Sequence, residues 1–306
     1  MLRKNPCARL QITSSRWEGW DIMDRQVSTI QVGEYVLEYS IVGEGSPLLL
    51  FHGGHSNCYE EFGYQNLVAS GFSIITPSRA GYSQTSPVAE LQEACELYLA
   101  LLDHLHIAKA HVIAVSAGGP TGILFCAQFP KRGASLTLQC AITKPWLSSN
   151  DTAYRIGRLI FKPGVEKGTW LILARMNNLL PRLTFRMLLS SFSTLTPAEA
   201  YARLDNLAVE LFREMNNRQR SYKGFLIDLE HTQKDYTREL RSIKAPTLIM
   251  HSKNDRCVAP SHAEYAEAHI VHSEAFMLDA WGHLIWIGKH AAEFDRKQIA
   301  FLAENQ

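Results

Sequence analysis

Long apolar runs, paired cysteines, clustered histidines and an excess of charge are all missing from this 306-residue chain. No apolar run approaches the ~18 to 20 residues of a membrane-crossing helix, so no membrane span is expected. The six cysteines, Cys7, Cys58, Cys95, Cys126, Cys140 and Cys257, are scattered without a CxxC pair. Stretches such as LFCAQF read as buried thiols, since free cysteine packs like a small hydrophobe. The 12 histidines show no HExxH and no His/Cys ligand spacing, so neither a metal nor a cofactor is expected. A balance of 31 Lys and Arg against 30 Asp and Glu argues against nucleic acid as a partner. The first twenty residues, MLRKNPCARLQITSSRWEGW, are basic but have no apolar h-region. They read as part of an extension over residues 1–25, not as a secretory signal. A cytoplasmic protein is the expectation, and its oligomeric state is left open.

What is present is globular: 46% hydrophobic and 20% charged residues, in a chain long enough to bury about three quarters of its unfolded surface. From Gln26 to Val42 the β-branched and aromatic pattern predicts a hairpin turning at Gly33–Glu34. Short apolar runs follow, LLLF at 48–51, FSIIT at 72–76, HVIAV at 111–115, SLTLQCAI at 135–142, TLIMH at 247–251 and AFML at 275–278. Runs this short and continuous fit parallel strands buried on both faces. Leu91, Ala94, Cys95, Tyr98, Leu101, Leu102 and Leu105 share one helical face, and a further helix is expected over Leu284–Leu302. The alternation predicts an α/β fold with a mostly parallel central sheet flanked by helices.

That alternation stops over residues 143–244, which read as a helical cap inserted into a core made of 26–142 and 245–306. Thr196-Pro197-Ala198-Glu199 is a capping-box start with proline at the first helical position. Tyr201, Leu204, Leu207, Ala208 and Leu211 then fall on one face of an expected helix. The segment carries 17 basic against 10 acidic residues, which leaves 14 against 20 elsewhere. Such an excess reads first as a solvated face, with attraction of anionic substrates as the rarer alternative.

Four features carry chemistry. Ser116 sits in Ala114-Val115-Ser116-Ala117-Gly118-Gly119, between a strand and a helical run. A serine at such a sharp turn has its hydroxyl exposed, and its small neighbours let strand and helix approach. His52-Gly53-Gly54-His55 follows LLLF, and glycines there let a backbone N–H face a substrate oxygen. Asp255 lies in the loop after TLIMH, and His283 in the loop after AFML. All four stand at carboxyl ends of expected strands, where open α/β sheets bind ligands. Alone, the Ser116 turn is a moderate signal, the glycine loop reads equally well as an ordinary loop, and a single Asp or His in a loop is usually just solvated. Their joint order, glycine loop, Ser, Asp, His, satisfies the logic of a nucleophile, a base and an orienting acid. Asp279, four residues before His283, is the rival acid.

With these motifs, and with Ser78-Arg79-Ala80-Gly81-Tyr82-Ser83 after the fourth strand, the chain resembles the α/β-hydrolase fold family over nearly all of residues 26–303. The resemblance implies Ser116 as nucleophile, His283 as general base and acid, and Asp255 as the orienting carboxylate. It also implies an oxyanion hole from the backbone N–H groups of Gly54 and Ala117. Members with aspartate as the nucleophile are set aside by Ser116. Two departures stand out: Ala114 where the elbow pattern has glycine, and Ser78 where many members carry an acid. The expected function is a serine hydrolase cleaving a small-molecule carboxylic ester, lactone, amide or related acyl bond. An acyltransferase or a carbon–carbon bond hydrolase of the same fold is the alternative, and a non-catalytic binding protein a further one. His55 reads as solvated or turn-stabilising more readily than pocket-lining. Trp281 and Trp286 read as site-shaping or core packing alike. Trp146, Phe161, Trp170, Phe185 and Phe192 read as the cap's own core.

Overall fold

The computed structural model describes residues 24–306, so Cys7 and nearly all of the expected extension lie outside the described residues. One sheet contains β1 (Arg25–Val32), β2 (Tyr35–Val42), β3 (Ser46–Phe51), β4 (Phe72–Pro77), β5 (Ala110–Val115), β6 (Gly133–Gln139), β7 (Thr247–Ser252) and β8 (Ser273–Leu278). Its order is β1-β2-β4-β3-β5-β6-β7-β8. The β1–β2 hairpin turns where expected, at Gly33 with φ 58°, a conformation that favours glycine. Strand β2 also pairs antiparallel with β4, and every pairing from β4 through β8 is parallel.

Helices α1 (Tyr64–Ala69), α2 (Leu91–His104) and α3 (Gly119–Gln128) connect the first strands. Between β6 and β7 come α4 (Thr152–Ile160), α5 (Glu166–Leu179), α6 (Pro181–Phe192), α7 (Pro197–Arg203), α8 (Ala208–Arg218), α9 (Gly224–His231) and α10 (Thr237–Ser242). Then α11 (Ser261–His269) precedes β8, and α12 (Ala291–Glu304) follows it. Successive strand residues alternate between two cores. Leu49, Phe51, Val112 and Leu138 join α2 and α3 on one face, while Leu48, Leu50, Ile113 and Val115 join α1 and α12 on the other. Burial on both faces is why these strands read as unbroken apolar runs.

Three expectations on elements are corrected. The helix expected over Tyr201–Leu211 is two helices, because Leu204 is extended and the Asp205 carboxylate accepts the Leu207 N–H at 2.9 Å. This short-range bond of an aspartate competes with helix and ends it. Tyr201 and Leu207 are consequently exposed, whereas Leu204 and Ala208 are buried. The terminal helix starts at Ala291, not Leu284, since Gly288 turns the chain at φ 102° and Leu284–Ile287 pack as a buried loop. Strand β6 ends at Gln139 because Cys140 adopts φ 45° and Ile142 N–H leaves the sheet to bond the Ser116 carbonyl at 3.0 Å. The capping box forms as read, with the Thr196 and Glu199 side chains each bonding the other residue's N–H.

Candidate functional site

The loops after β3, β4, β5, β7 and β8 gather at the carboxyl edge of the sheet. Ser116 leaves β5 at φ 50° and opens a single 3-10 turn, Ser116–Gly118, that runs into α3. A left-handed non-glycine residue costs about 1–3 kcal/mol and persists only where its surroundings hold it. Here they do: a Cβ on Gly118 would stand 2.5 Å from the Phe51 carbonyl oxygen, and one on Gly119 would stand closer still to the Ile142 carbonyl oxygen. The departure at Ala114 has its own accommodation. Gly122, one turn into α3, lies where an added Cβ would stand 2.5 Å from the Ala114 methyl. The extra methyl on the strand is matched by a missing one on the helix. Gly122→Ala should therefore destabilise the fold, because overpacking costs about 1–3 kcal/mol against about 1 kcal/mol gained in helix propensity. Urea melts of Gly122→Ala, Ala114→Gly and the double variant test this. The double should lose less than the sum of the singles, and simple additivity would disprove the coupling.

Beside the elbow runs the His52–His55 loop. A Cβ on Gly53 would lie 3.3 Å from the Ser116 Cβ, and one on Gly54 3.7 Å from the Ala117 Cβ. His52 is buried and shapes this loop: its Nδ1 donates to the Gly53 carbonyl at 2.8 Å and its Nε2 accepts the Arg79 N–H at 2.9 Å. Burial, aided by the Arg79 charge, pushes the imidazole well below its usual range, which keeps it neutral. Arg79 in turn donates from Nε to the His52 carbonyl at 2.7 Å and from Nη2 to the Gly53 carbonyl at 3.2 Å. Its guanidinium is clamped by Asp228 of α9, with Nη2 to Oδ2 at 2.7 Å, and the Tyr82 hydroxyl donates to the same oxygen at 2.6 Å.

Arg79 and Asp228 have side chains only 4% and 5% exposed, so neither charge has water to fall back on. Asp228→Asn should cost about 3–5 kcal/mol, the expense of leaving a buried guanidinium uncompensated. A denaturant melt showing a loss below about 1 kcal/mol would sink this reading. His55 is half-buried among aromatic rings. Its ring stacks on Phe225 at 4.0 Å and meets Phe161 at 4.3 Å and Trp170 at 5.2 Å. Burial lowers its pKa to about 3. Its Nδ1 bonds the Ser221 hydroxyl at 2.8 Å, which also accepts Trp170 Nε1 at 2.7 Å.

The other departure, Ser78, is also made good. Its hydroxyl donates to the Glu38 carboxylate of β2 at 2.8 Å and accepts the Cys58 N–H at 3.1 Å. The neighbouring strand thus supplies the acid that position 78 lacks.

The residues from three distant loops meet. His283 Nε2 lies 3.0 Å from Ser116 Oγ, and His283 Nδ1 lies 2.6 Å from Asp255 Oδ2. Asp255 and His283 are buried, and Ser116 is partly exposed. Burial alone would raise the Asp255 carboxyl, but the charge of His283 and hydrogen bonds from His251 and His283 outweigh it and hold the group well below the usual range. Its other oxygen accepts the Val258 N–H at 2.9 Å. His251, at the end of β7, sits 3.4 Å from Asp255 Oδ2 and donates from Nε2 to the Val258 carbonyl at 2.9 Å. The rival Asp279 is turned away, 53% exposed and paired with Arg203 at 2.9 Å.

The end of α6 ties these loops together. The Phe192 carbonyl accepts the His283 N–H at 2.9 Å and the Arg256 N–H at 3.3 Å, and Ser193 bridges to Asp255. A Cβ on Gly282 would stand 2.5 Å from that carbonyl oxygen, which explains the glycine before His283. Of the aromatics read as the cap's own core, Phe185 does pack with Phe212, at 4.9 Å. Phe192 packs on the same Phe212 at 5.5 Å and Phe161 stacks on Trp170 at 5.6 Å, while Trp146, Phe161, Trp170 and Phe192 also reach the site loops. Trp281 and Trp286 are buried, the first against Phe185 and the second against Phe62.

The reading by linear spacing found no metal donors, yet folding brings two sets together. Asp255, Cys257 and His283 offer donor atoms within 4.8 Å of one another, as do Cys140, His251 and Asp255. Both sets share Asp255, whose oxygens are already engaged by hydrogen bonds. A hydroxyl, imidazole and carboxylate in this order can move a proton off the serine and return it to a leaving group. Sequence reading missed Asp228, Glu38, His251 and the role of Arg79. A histidine closing an otherwise apolar strand was the signal for His251, and a lone aspartate on a helix gave none for Asp228.

A family model described as "Alpha/beta hydrolase family" matches residues 48–296. An uncharacterized hydrolase, YcgS, of Bacillus subtilis (strain 168) is 49% identical over 92% of this chain and 99% of that protein. A 2-hydroxy-6-oxononadienedioate/2-hydroxy-6-oxononatrienedioate hydrolase of Paraburkholderia xenovorans (strain LB400) is 27% identical over 89% of this chain and 92% of its own length. Among solved structures, an alpha/beta hydrolase fold protein from Nakamurella multipartita superposes with a TM-score of 0.77, at 25% identity, over 90% of this chain and 98% of that one. An eight-stranded, mostly parallel sheet with this connectivity, matched along most of its length by that family's model, makes the chain a member of the alpha/beta hydrolase family.

Proposed function

We propose that this hydrolase cleaves a small-molecule carboxylic ester, or a related acyl bond, through an acyl-enzyme on Ser116. His283 takes the Ser116 proton as Oγ attacks the carbonyl carbon. Asp255 keeps Nδ1–H of His283 in place, so that Nε2 is the free base, and steadies the imidazolium that forms. The N–H groups of Gly54 and Ala117 hold the tetrahedral oxyanion, a role supported by the close approach of those two residues beside Ser116. His283 returns its proton to the leaving alcohol, then activates water to release the acid and free Ser116. Residues 143–244 serve as a cap whose α6 and α9 brace the loops that carry the chemistry. The observation that carries this reading is the continuous Asp255–His283–Ser116 chain of contacts at 2.6 and 3.0 Å.

A second reading is supported by the Paraburkholderia relative: hydrolysis of a carbon–carbon bond in a vinylogous diketone, which the same three residues can serve. One experiment separates the two. Purified protein is offered p-nitrophenyl esters of graded chain length, lactones and amides, beside a vinylogous 1,5-diketone. Turnover of esters with none of the diketone supports the first reading, and a strong preference for the diketone replaces it with the second. Inertness toward every acyl compound and the diketone would end both.

A further inference from the structure

Helices α4, α5 and α6 present an outer surface that ordinary solvent does not favour. On α5 the inward positions are Glu166, Trp170 and Asn177, whereas Leu171, Ile172 and Leu179 face out at 51%, 62% and 79% exposure. Those three, with Lys167 and Arg175, fall at the one- and four-residue steps of a single helical face. On α6 the buried Thr184, Phe185 and Leu189 leave Arg182, Leu183, Arg186 and Met187 outward. On α4 the outward set is Arg155, Ile156, Arg158 and Leu159. Nine of the 14 exposed large hydrophobic residues among the described residues lie between Ile156 and Met187. Scattered exposed leucines need no explanation, but this concentration does.

The charge on the same surface is one-sided. Residues 152–192 contain seven Lys and Arg and a single acid, Glu166, which is buried and bonded to Arg220. All seven cations are exposed, and none enters an ion pair among the described residues. Three of them, Arg155, Arg158 and Lys162, line a surface depression of about 580 Å³ whose apolar wall includes Leu159 and Leu226. None of the residues that line it belongs to the Ser116 site.

We propose that the outer face of α4, α5 and α6 docks on an anionic lipid surface. Interleaved cations and aliphatic side chains are what such a surface selects: apolar tips enter the headgroup boundary while guanidinium and ammonium groups reach phosphates. The chain's net charge is only +1, so the attraction is local to this face. A second copy of the chain is the competing occupant, and charge opposes it, because a symmetric contact would set two like cation arrays against each other. Docking there leaves the Ser116 chemistry intact and brings the protein to amphiphilic substrates.

The test is co-sedimentation with vesicles of phosphatidylcholine alone and of phosphatidylcholine mixed equally with phosphatidylglycerol. Binding should favour the anionic vesicles at least tenfold and fall steeply as salt is raised. A charge-reversal variant, Arg155→Glu/Arg158→Glu/Lys162→Glu, should lose that preference. An apolar-face variant, Leu171→Gln/Ile172→Gln/Leu179→Gln, should release most of the bound protein. Both variants should melt like wild type and keep wild-type turnover of any water-soluble substrate, so failure here is distinguishable from failure of the proposed chemistry. Absence of vesicle binding, or equal binding to both vesicle types, would overturn the proposal. So would a wild-type dimer by analytical ultracentrifugation that the apolar-face variant converts to monomer without any lipid association.

Discussion

Ser116→Ala should leave the protein folded and reduce turnover by on the order of 10⁴–10⁶, the loss seen when a triad nucleophile is removed. The fold should survive because the strained backbone at φ 50° is held by its surroundings, in particular the glycines that let β5, α3 and the Phe51–His52 carbonyls crowd together. Alanine adopts that conformation at about the same cost as serine. What is lost is the only hydroxyl that His283 Nε2 meets, at 3.0 Å, among the described residues. A residual rate is expected, since groups that bind substrate and stabilise an oxyanion still act without the nucleophile. A fluorophosphonate probe should label the wild type and not the variant. Wild-type turnover by a folded Ser116→Ala protein would remove the acyl-enzyme mechanism altogether.

Asp255→Asn should cost up to about 10⁴ in kcat, with KM nearly unchanged. Asp255 Oδ2 accepts from His283 Nδ1 at 2.6 Å, which leaves Nε2 unprotonated and directed at Ser116. An asparagine amide placed there can donate to Nδ1, and the imidazole then carries its proton on Nε2, where it cannot act as a base. The carboxyl of Asp255 lies well below its usual range because of its histidine contacts, so it stays ionised through neutral and mildly acidic pH. Asp279→Asn provides the contrast. Its side chain is 53% exposed and pairs with Arg203, and surface pairs of this kind contribute about 0–1 kcal/mol. A loss of at most about tenfold is expected from Asp279→Asn, through local packing. If both variants fold and Asp279→Asn is the more damaging, the orienting acid is misassigned while Ser116 and His283 retain their roles.

Much of this architecture is written locally. A four- or five-residue apolar run buried on both faces has few ways to be satisfied other than as a central strand, so β3, β4, β5 and β7 could be read directly. AFML marked β8 too, but β8 is an edge strand with only Leu278 fully buried, not the doubly buried strand expected. Glycines at 118 and 119 stand where the turn passes the Phe51 and Ile142 carbonyls, and Thr196 and Glu199 mark a helix start because capping acts within a few residues. The misplaced boundaries are those set by weaker local competition. Apolar periodicity continues through 201–211, but one Asp205 hydrogen bond ends α7, and periodicity cannot register a single side-chain bond. The late start of α12 follows from the turn at Gly288, where a Cβ would stand 2.9 Å from the Arg203 carbonyl oxygen of a remote helix.

Which distant groups answer one another was decided only when the chain closed on itself. Ser78 lacks the acid of its motif, and nothing near it in sequence announces that Glu38, 40 residues earlier, supplies one. The buried Arg79 meets its counter-charge 149 residues later on α9. The Phe192 carbonyl at the end of α6 holds the backbone of both loops that bear Asp255 and His283. Each is a pairing of polar groups withdrawn from water, where the penalty for leaving one unpaired is large and the partner can come from anywhere that folding makes adjacent. Local propensity carries no information about that adjacency. For Ser78 it arises from the antiparallel pairing of β2 with β4, and for Arg79 and the loops of Asp255 and His283 from the contacts of α9 and the end of α6.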